Sequence, residues 1–218
     1  MPGKELIAEL KKDYRVKRPH IVKRLAEFKA AFDRGDQAIF EELCYCILTA
    51  GSSAKMGMRT VEALRDLLPN GGLRVLQQRA RAHHVRFWRI RPAYIVHTRE
   101  CLRDVCGLEL RSFIQSFDSP EALRDFFAGN KNIKGLGYKE TSHFLRNIGF
   151  RGYAILDKHI LNSLGELGVI SKGTRPPSTR TRYLTIEKKL RQFSREIGID
   201  MDHMDLLLWS RKTGVILK

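Results

Sequence analysis

The stretch Asn132-Ile-Lys-Gly-Leu-Gly-Tyr-Lys139 separates two segments of helical pattern by a pair of glycines. Ser119-Pro120 stands before the first segment and supplies an N-cap serine, followed by the proline that helices favour at their first position. In the second segment, Phe144, Leu145 and Ile148 fall on one helical face. The sequence therefore predicts two helices joined by a tight turn, a helix–hairpin–helix motif over about residues 120–149.

Helical periodicity continues outside this motif. Residues 5–32 have the pattern of an amphipathic helix, with a break expected near Pro19 because proline removes a backbone donor. Residues 37–50 are apolar almost all round, which predicts a helix buried in the core. Asp157 stands where an N-cap is expected for a helix over residues 158–167. Since no region alternates apolar and polar residues with a period of two, the chain is predicted to be all-α.

The chain is strongly and unevenly basic. It has 40 Lys and Arg against 24 Asp and Glu, a formal net charge of +16. Residues 74–99 hold seven arginines and no acidic residue, and a second basic stretch covers residues 172–191 with Glu187 as its one acid. Such clusters indicate binding to a phosphate backbone, since each neutralised phosphate releases a counterion. The alternative interpretation is a solvated basic surface with no nucleic-acid partner.

Composition excludes several classes of protein. With 43% hydrophobic and 29% charged residues, the chain is globular rather than disordered or fibrous. No apolar run reaches the roughly 20 residues of a membrane span, and residues 1–5 lack the apolar run of a secretory signal. Four cysteines are too few for a disulfide scaffold in a chain of this length. We therefore expect a cytoplasmic, nucleoid-associated protein with no membrane partner, and a monomer.

Two chemically active residues stand in register with the hairpin. Lys139 follows the turn directly, and Asp157 comes 18 residues later in Ile155-Leu-Asp-Lys-His159. A lysine directly after the hairpin and an aspartate 18 residues later resemble the pattern of the helix–hairpin–helix superfamily of DNA base-excision glycosylases. The stretches Gly135-Leu-Gly-Tyr-Lys-Glu-Thr-Ser-His-Phe-Leu-Arg-Asn-Ile-Gly149 and Glu41-Glu-Leu-Cys-Tyr-Cys-Ile-Leu-Thr-Ala50 are similar to its archaeal-type 8-oxoguanine DNA glycosylase/AP lyase subfamily.

The resemblance implies a fold and an activity. The fold would be one glycosylase unit over residues 1–218, all-α, with two helical subdomains flanking a DNA-binding cleft. The activity would be base-excision repair by a bifunctional DNA glycosylase and AP lyase, which flips the damaged nucleotide out of the duplex. Lys139 would attack C1′ of that nucleotide, and Asp157 would assist by stabilising positive charge on the sugar.

The same resemblance implies contacts to phosphate and to the lesion. Lys134, Gly135 and Gly137 are expected to bind the DNA backbone, because glycines allow close approach and the following helix presents free N–H groups. Guanine N7 is an acceptor, whereas 8-oxoguanine carries N7–H, so an acceptor placed at N7 selects the lesion. Lys218, through its carboxylate, and Trp209, as a stacking wall, are the residues implied in this recognition.

No cofactor is expected. Relatives with an iron–sulfur cluster bind it through four cysteines that follow the catalytic aspartate. Here all four cysteines precede Lys139, namely Cys44, Cys46, Cys101 and Cys106. The resemblance therefore implies an enzyme with no iron–sulfur cluster and no catalytic metal, whose partner is double-stranded DNA containing 8-oxoguanine or abasic sites.

Two alternative functions stay open. One is a glycosylase/lyase for oxidised pyrimidines, or an adenine glycosylase, against which the missing cluster and the terminal Trp209 and Lys218 argue. The other is a non-enzymatic helix–hairpin–helix DNA-binding module. In that case Lys139 is an exposed phosphate contact and Asp157 is only a helix cap. The two residues together argue against this second alternative, because a binding module needs no carboxylate facing DNA.

Overall fold

The computed structural model describes residues 4–214 and residue 216. Within them the chain forms eleven α-helices, one 3-10 helix over Arg65–Leu67, and no strand, which confirms the all-α prediction. The α-helices are α1 (Lys4–Asp33), α2 (Asp36–Thr49), α3 (Ala54–Leu64), α4 (Leu73–Ala82), α5 (Ile90–Cys106), α6 (Leu110–Gln115), α7 (Pro120–Gly129), α8 (Tyr138–Asn147), α9 (Lys158–Glu166), α10 (Arg180–Ile197) and α11 (Met201–Thr213). None of these helices is long and apolar enough to span a membrane.

The helices fall into two compact units. The central unit is Lys29–Ile148 and contains the end of α1 and all of α2 to α8. The terminal unit consists of the described residues of Met1–Phe28 and Gly149–Lys218, with most of α1 and with α9 to α11. The two helices of the predicted hairpin motif, α7 and α8, therefore both belong to the central unit.

α2 forms the middle of the central unit. Ile39, Leu43, Cys44 and Ile47 on this helix are completely buried, and α2 packs against α3, α5, α6 and α8. An apolar surface on every side of a helix is stable only where each side meets another element. The prediction of a buried helix over residues 37–50 is confirmed.

The break predicted near Pro19 is wrong, because α1 continues through this residue. Proline inside a helix costs about 3 kcal/mol by removing a hydrogen bond and crowding the preceding turn. α1 nevertheless buries Leu10 and Ile21 completely, on both sides of Pro19, and side-chain contacts join it to α11. The Tyr14 hydroxyl lies 2.8 Å from His203 Nδ1, and Lys17 Nζ donates to Ser210 Oγ at 3.0 Å.

Two helices, α4 and α10, lie largely within the basic stretches of the sequence. α4 lies inside the arginine-rich stretch and buries only Leu76 and Ala80, so its periodic signal is weak. α10 begins at Arg180, inside the second basic stretch of residues 172–191. Its N-cap is Thr179, whose side chain accepts a hydrogen bond from the Arg182 N–H at 3.3 Å.

Candidate active site

The hairpin between α7 and α8 is held in place by α5. Gly135 has a φ of +79°, in the left-handed region. A Cβ on this residue would lie 2.8 Å from Tyr94 Cδ2 and 3.3 Å from Ile47 Cγ2. The Lys134 N–H donates to Thr98 Oγ1 at 2.9 Å. Backbone conformation and close approach both require glycine at position 135, and residues distant in sequence set the path of the turn.

α8 begins directly at the end of the hairpin. Gly137 is its N-cap and offers no side-chain capping hydrogen bond. The first-turn N–H groups of a helix have no acceptor within the helix, and they carry the positive end of its dipole. This is the arrangement with which helix N-termini bind phosphate groups. Gly135 and Gly137 therefore border a surface suited to a DNA phosphate.

The body of α8 is fixed by burial. Every residue from Thr141 to Asn147 is buried. Asn147 Nδ2 donates to Glu42 Oε2 at 3.1 Å in the interior, and the rings of Phe127 and Phe144 meet with centroids 5.2 Å apart. Side chains of the first turn consequently project from a rigid support, as a catalytic group requires.

Lys139 lies in this first turn. Its side chain is 28% exposed, and its Nζ lies 3.7 Å from Glu140 Oε1. The buried Cys46 thiol on α2 interacts electrostatically with Lys139 and Glu140. Burial raises the pKa of this thiol well above its usual value. A thiol that stays protonated is a poor nucleophile, so Cys46 does not compete with Lys139 as the candidate nucleophile here.

Asp157 begins α9, in the terminal unit. Asp157 Oδ1 accepts a hydrogen bond from the Ile160 N–H at 2.8 Å, which confirms the predicted N-cap. The segment leading to it is held by α10, since the Ala154 N–H donates to Glu187 Oε2 at 2.9 Å and the Tyr183 hydroxyl donates to the Ala154 carbonyl. One hydrogen bond thus orients the carboxylate, and two others hold the backbone three residues before it.

The site residues predicted from sequence fall in both units. Lys134, Gly135, Gly137 and Lys139 belong to the central unit, and Asp157 and Trp209 belong to the terminal unit. Trp209 lies on α11 and is partly exposed, between the buried Leu208 and Ser210. Lys218 lies outside the described residues.

A cluster that sequence reasoning did not assemble surrounds the loop from α4 to α5. This arginine–aromatic cluster places guanidinium groups 4.7 to 5.8 Å from ring centroids: Arg81 and Arg89 with Trp88, Arg86 and Arg91 with Phe87, Arg91 with Tyr94. Phe87 has a φ of +61° and is 43% exposed. A bulky residue in the left-handed region is uncommon, and here the conformation leaves an aromatic ring at a basic surface. In the sequence, two aromatic residues between two arginines, Arg86-Phe-Trp-Arg89, were the signal that could have indicated this cluster.

Some arginines of the same stretch are structural. Arg99 is only 4% exposed and donates to the carbonyls of Leu68 and Gly71 at 2.9 and 3.0 Å. Arg91 donates to the Ala50 carbonyl at 2.9 Å. These guanidinium groups donate to backbone carbonyls at the ends of turns. The number of arginines in the sequence therefore exceeds the number that can bind phosphate.

The chemistry of the described residues gives no indication of a resident metal. No group of three or more His, Cys, Asp or Glu side chains within them is arranged to hold an ion. The four cysteines are free thiols, two buried and two partly exposed.

Two helices joined by a Gly-x-Gly hairpin, with a lysine directly after it and a capping aspartate beyond, are the features of the lysine-bearing helix–hairpin–helix DNA glycosylases. Within that class, a family model described as 8-oxoguanine DNA glycosylase matches residues 21–199. The chain belongs to this family.

Individual relatives align with almost the whole chain. The 8-oxoguanine DNA glycosylase/AP lyase of Korarchaeum cryptofilum is 40% identical over 204 residues, covering 91% of this chain and 90% of that protein. The one from Fusobacterium nucleatum is 38% identical and covers 100% of both. A crystal structure of the Methanocaldococcus jannaschii enzyme with a 15mer DNA containing 8-oxoguanine gives a TM-score of 0.88 at 33% identity, over 98% of this chain and 100% of that one. The predicted family is confirmed.

Proposed function

We propose that this chain excises 8-oxoguanine from double-stranded DNA and then cleaves the strand as an AP lyase. The observation that carries the proposal is the position of Lys139, in the first turn of the rigid α8 and directly after a hairpin suited to phosphate. Membership of the 8-oxoguanine DNA glycosylase family supports the same activity.

Base excision would begin once the damaged nucleotide has left the base stack. The neutral amine of Lys139 attacks C1′, the bond from C1′ to N9 breaks, and its electron pair leaves with the base, which takes up a proton. Positive charge builds on the sugar during this step, and the Asp157 carboxylate stabilises it. Opening of the C1′–O4′ bond, with loss of an amine proton, gives the Schiff base between Lys139 and C1′.

Strand cleavage would follow from the Schiff base. The iminium group makes the C2′ proton acidic, and its removal pushes electrons towards C3′. The bond from C3′ to oxygen breaks and the 3′ phosphate leaves with the electron pair. Water then hydrolyses the imine and regenerates the Lys139 amine, so the enzyme turns over without a cofactor.

DNA binding would use two surfaces of the central unit. Lys134, Gly135 and Gly137 hold one phosphate at the start of α8. The arginine–aromatic cluster contacts the backbone through its exposed members Arg81 and Arg89, and the exposed Phe87 ring stacks on a base. In the terminal unit, Trp209 is proposed as a wall of the lesion pocket and Lys218 as the group that reads N7–H.

Borohydride trapping on duplex DNA containing 8-oxoguanine tests the mechanism. The wild-type protein should form a covalent adduct that Lys139→Gln abolishes, while Asp157→Asn should slow adduct formation by about 100-fold, the usual cost of losing one electrostatic contact to the transition state. Lys55→Gln removes an exposed lysine of α3 and should trap normally. A wild-type protein that forms no adduct would exclude the bifunctional mechanism, and an undiminished adduct in Lys139→Gln would assign the attack to another amine.

A further inference from the structure

Arg91, in the first turn of α5, lies where three segments of the central unit meet. Its Nη2 donates to the carbonyl of Ala50, the C-cap of α2, at 2.9 Å. Its Cζ lies 5.6 Å from the centroid of the Phe87 ring, and its Nη1 lies 3.5 Å from the position of a Cβ on Gly135. One guanidinium group therefore adjoins the end of α2, the loop from α4 to α5, and the hairpin.

The end of α2 attracts two arginines for the same physical reason. The carbonyls at the end of a helix have no N–H partner within it, and they carry the negative end of the helix dipole. Arg91 binds the Ala50 carbonyl, and Arg86 Nη1 donates to the Gly51 carbonyl at 2.8 Å. Both guanidinium groups also lie over the Phe87 ring, at 5.6 and 4.7 Å from its centroid. The ring is therefore linked to α2 through two cations.

The backbone of Phe87 has a conformation that its own side chain disfavours. Its φ of +61° lies in the left-handed region, where a residue with a Cβ persists only if the surroundings impose it. Its carbonyl accepts hydrogen bonds from the N–H groups of Ile90 and Arg91 at 2.9 and 3.0 Å. Because Phe87 is 43% exposed, burial in the core does not impose this conformation. The contacts with the end of α2 and the first turn of α5 hold the ring in place.

Tyr94 places the hairpin against the same guanidinium group. Residues three apart on a helix share a face, and the Tyr94 ring centroid lies 5.8 Å from Arg91 Cζ. A Cβ on Gly135 would lie 2.8 Å from Tyr94 Cδ2, so the turn of the hairpin lies directly on this face of α5. The hairpin and the Phe87 ring consequently pack against a common support.

We propose that Arg91 is a positioning residue that holds the Phe87 ring in a fixed place relative to the hairpin before DNA arrives. The inference rests on the proposed function of these two features, the hairpin as the phosphate site and the Phe87 ring as the surface on which a base stacks. A ring that is already ordered loses little freedom when a base stacks on it, so binding costs less entropy. Arg91 itself donates to a protein carbonyl and acts through Phe87 rather than by contacting a phosphate.

A double-mutant cycle on DNA binding tests this role. The probe is a duplex with a tetrahydrofuran analogue of an abasic site, which has no C1′ hydroxyl and cannot form a Schiff base, and affinity is measured by fluorescence anisotropy. Phe87→Ala should weaken binding by about 5- to 150-fold, the usual effect of losing one stacked base. Arg91→Gln should weaken it by about fivefold, which is within the cost of ordering one side chain on binding. When Phe87→Ala is already present, Arg91→Gln should change the affinity by less than about twofold, because no ring remains to be held.

Salt dependence distinguishes positioning from a direct phosphate contact. A residue that contacts a phosphate contributes about 1 to the slope of log affinity against log salt concentration. Arg91→Gln should therefore weaken binding and leave that slope unchanged. Arg91→Lys keeps the charge and a donor for the Ala50 carbonyl but lacks the planar group over the Phe87 ring, so it should also weaken binding.

The matched control is an arginine of the same helix. Arg103 donates to the Pro69 carbonyl at 3.1 Å, so Arg103→Gln likewise removes a guanidinium group that binds a protein carbonyl. It should bind the duplex like the wild type, because the carbonyl that Arg103 holds does not belong to the end of α2.

The outcomes separate this inference from the proposed function. Wild-type affinity in Arg91→Gln or Arg91→Lys, equal losses from Arg91→Gln with and without the Phe87 ring, or a slope reduced by about 1 would overturn the positioning role and leave the stacking by Phe87 intact. Wild-type affinity in Phe87→Ala would contradict the proposed stacking, and the role of Arg91 with it. A wild type that binds the analogue but forms no borohydride-trapped adduct on abasic duplex DNA would instead contradict the proposed lyase activity.

Discussion

Gly135 meets two separate demands at the scale of a single residue. Its positive φ costs an alanine about 1 kcal/mol, and its missing Cβ leaves room for the Tyr94 ring, which would lie 2.8 Å from that atom. Overpacking of this kind usually costs a further 1 to 3 kcal/mol, roughly. The hairpin that presents Lys139 therefore depends on the absence of one methyl group.

Substituting this glycine tests the two demands against each other. Gly135→Ala should lower the free energy of unfolding by about 2 to 4 kcal/mol, measured by urea denaturation. Gly107→Ala is the matched control, because Gly107 also has a positive φ, +63°, but its Cβ would meet no atom within 4 Å. Its expected cost is only about 1 kcal/mol. Equal costs for both variants would mean that the contact with Tyr94 is not tight.

α1 and α11 meet, at the scale of elements, at a tyrosine–histidine pair within the terminal unit. The Tyr14 hydroxyl lies 2.8 Å from His203 Nδ1. Burial lowers the pKa of His203, and neighbouring arginines act in the same direction, whereas the carboxylates at the start of α11 oppose them. The interface between the two helices therefore favours the neutral imidazole.

This preference predicts a pH-dependent stability. The unfolded chain protonates His203 near its ordinary pKa of about 6.5 and the folded chain only at lower pH. The contribution of His203 is thus fully present above the unfolded-state pKa and is lost as pH falls through the folded-state pKa. The free energy of unfolding should decrease as the pH falls below about 7, measured by urea titration.

Two variants assign that slope to one residue. His203→Gln should flatten the decrease, and His97→Gln, which replaces an exposed histidine of α5, should retain it. Burial raises the pKa of Asp202, and this carboxyl acts with the opposite sign in the more acidic range where carboxyl groups titrate. An unchanged slope in His203→Gln would place the pH dependence elsewhere.

The net charge of +16 acts at the scale of the whole molecule. Individual positive groups differ in what they contribute to it. Arg89 is exposed beside the Trp88 ring, whereas Arg99 is buried against two backbone carbonyls. Only charges that meet phosphates release counterions and make affinity depend on salt. The salt dependence of binding to undamaged duplex DNA therefore reports how many positive groups actually contact phosphates.

Salt titration of binding provides that count. The logarithm of affinity should fall linearly with the logarithm of salt concentration, and Arg89→Gln should reduce the slope by about 1. Arg65→Gln removes the same charge but should leave the slope unchanged, because Arg65 is paired with Glu41 and Glu62 at 3.1 and 2.7 Å. A slope that responds equally to both substitutions would mean that net charge, and not the arginine–aromatic cluster, governs binding.

Short-range signals were sufficient for the class of fold, for the hairpin, and for Lys139 and Asp157 as candidates. A few consecutive residues are enough to recognise an N-cap, a glycine turn or a lysine directly after that turn. The pattern of α2, apolar on all sides, is in itself typical of a buried helix. The same local signals were misleading at Pro19, where the helix continues between the buried Leu10 and Ile21, and too weak for α4.

The features that required tertiary structure all join residues distant in sequence or depend on side-chain rotation. Thr98 holds Lys134, Arg99 satisfies carbonyls of residues 68 and 71, and arginines stack on Phe87 and Trp88. The turn of Glu140 towards Lys139 is a rotamer choice between neighbours. No linear pattern encodes such pairings, because they arise only when folding brings particular surfaces together and excludes water from between them.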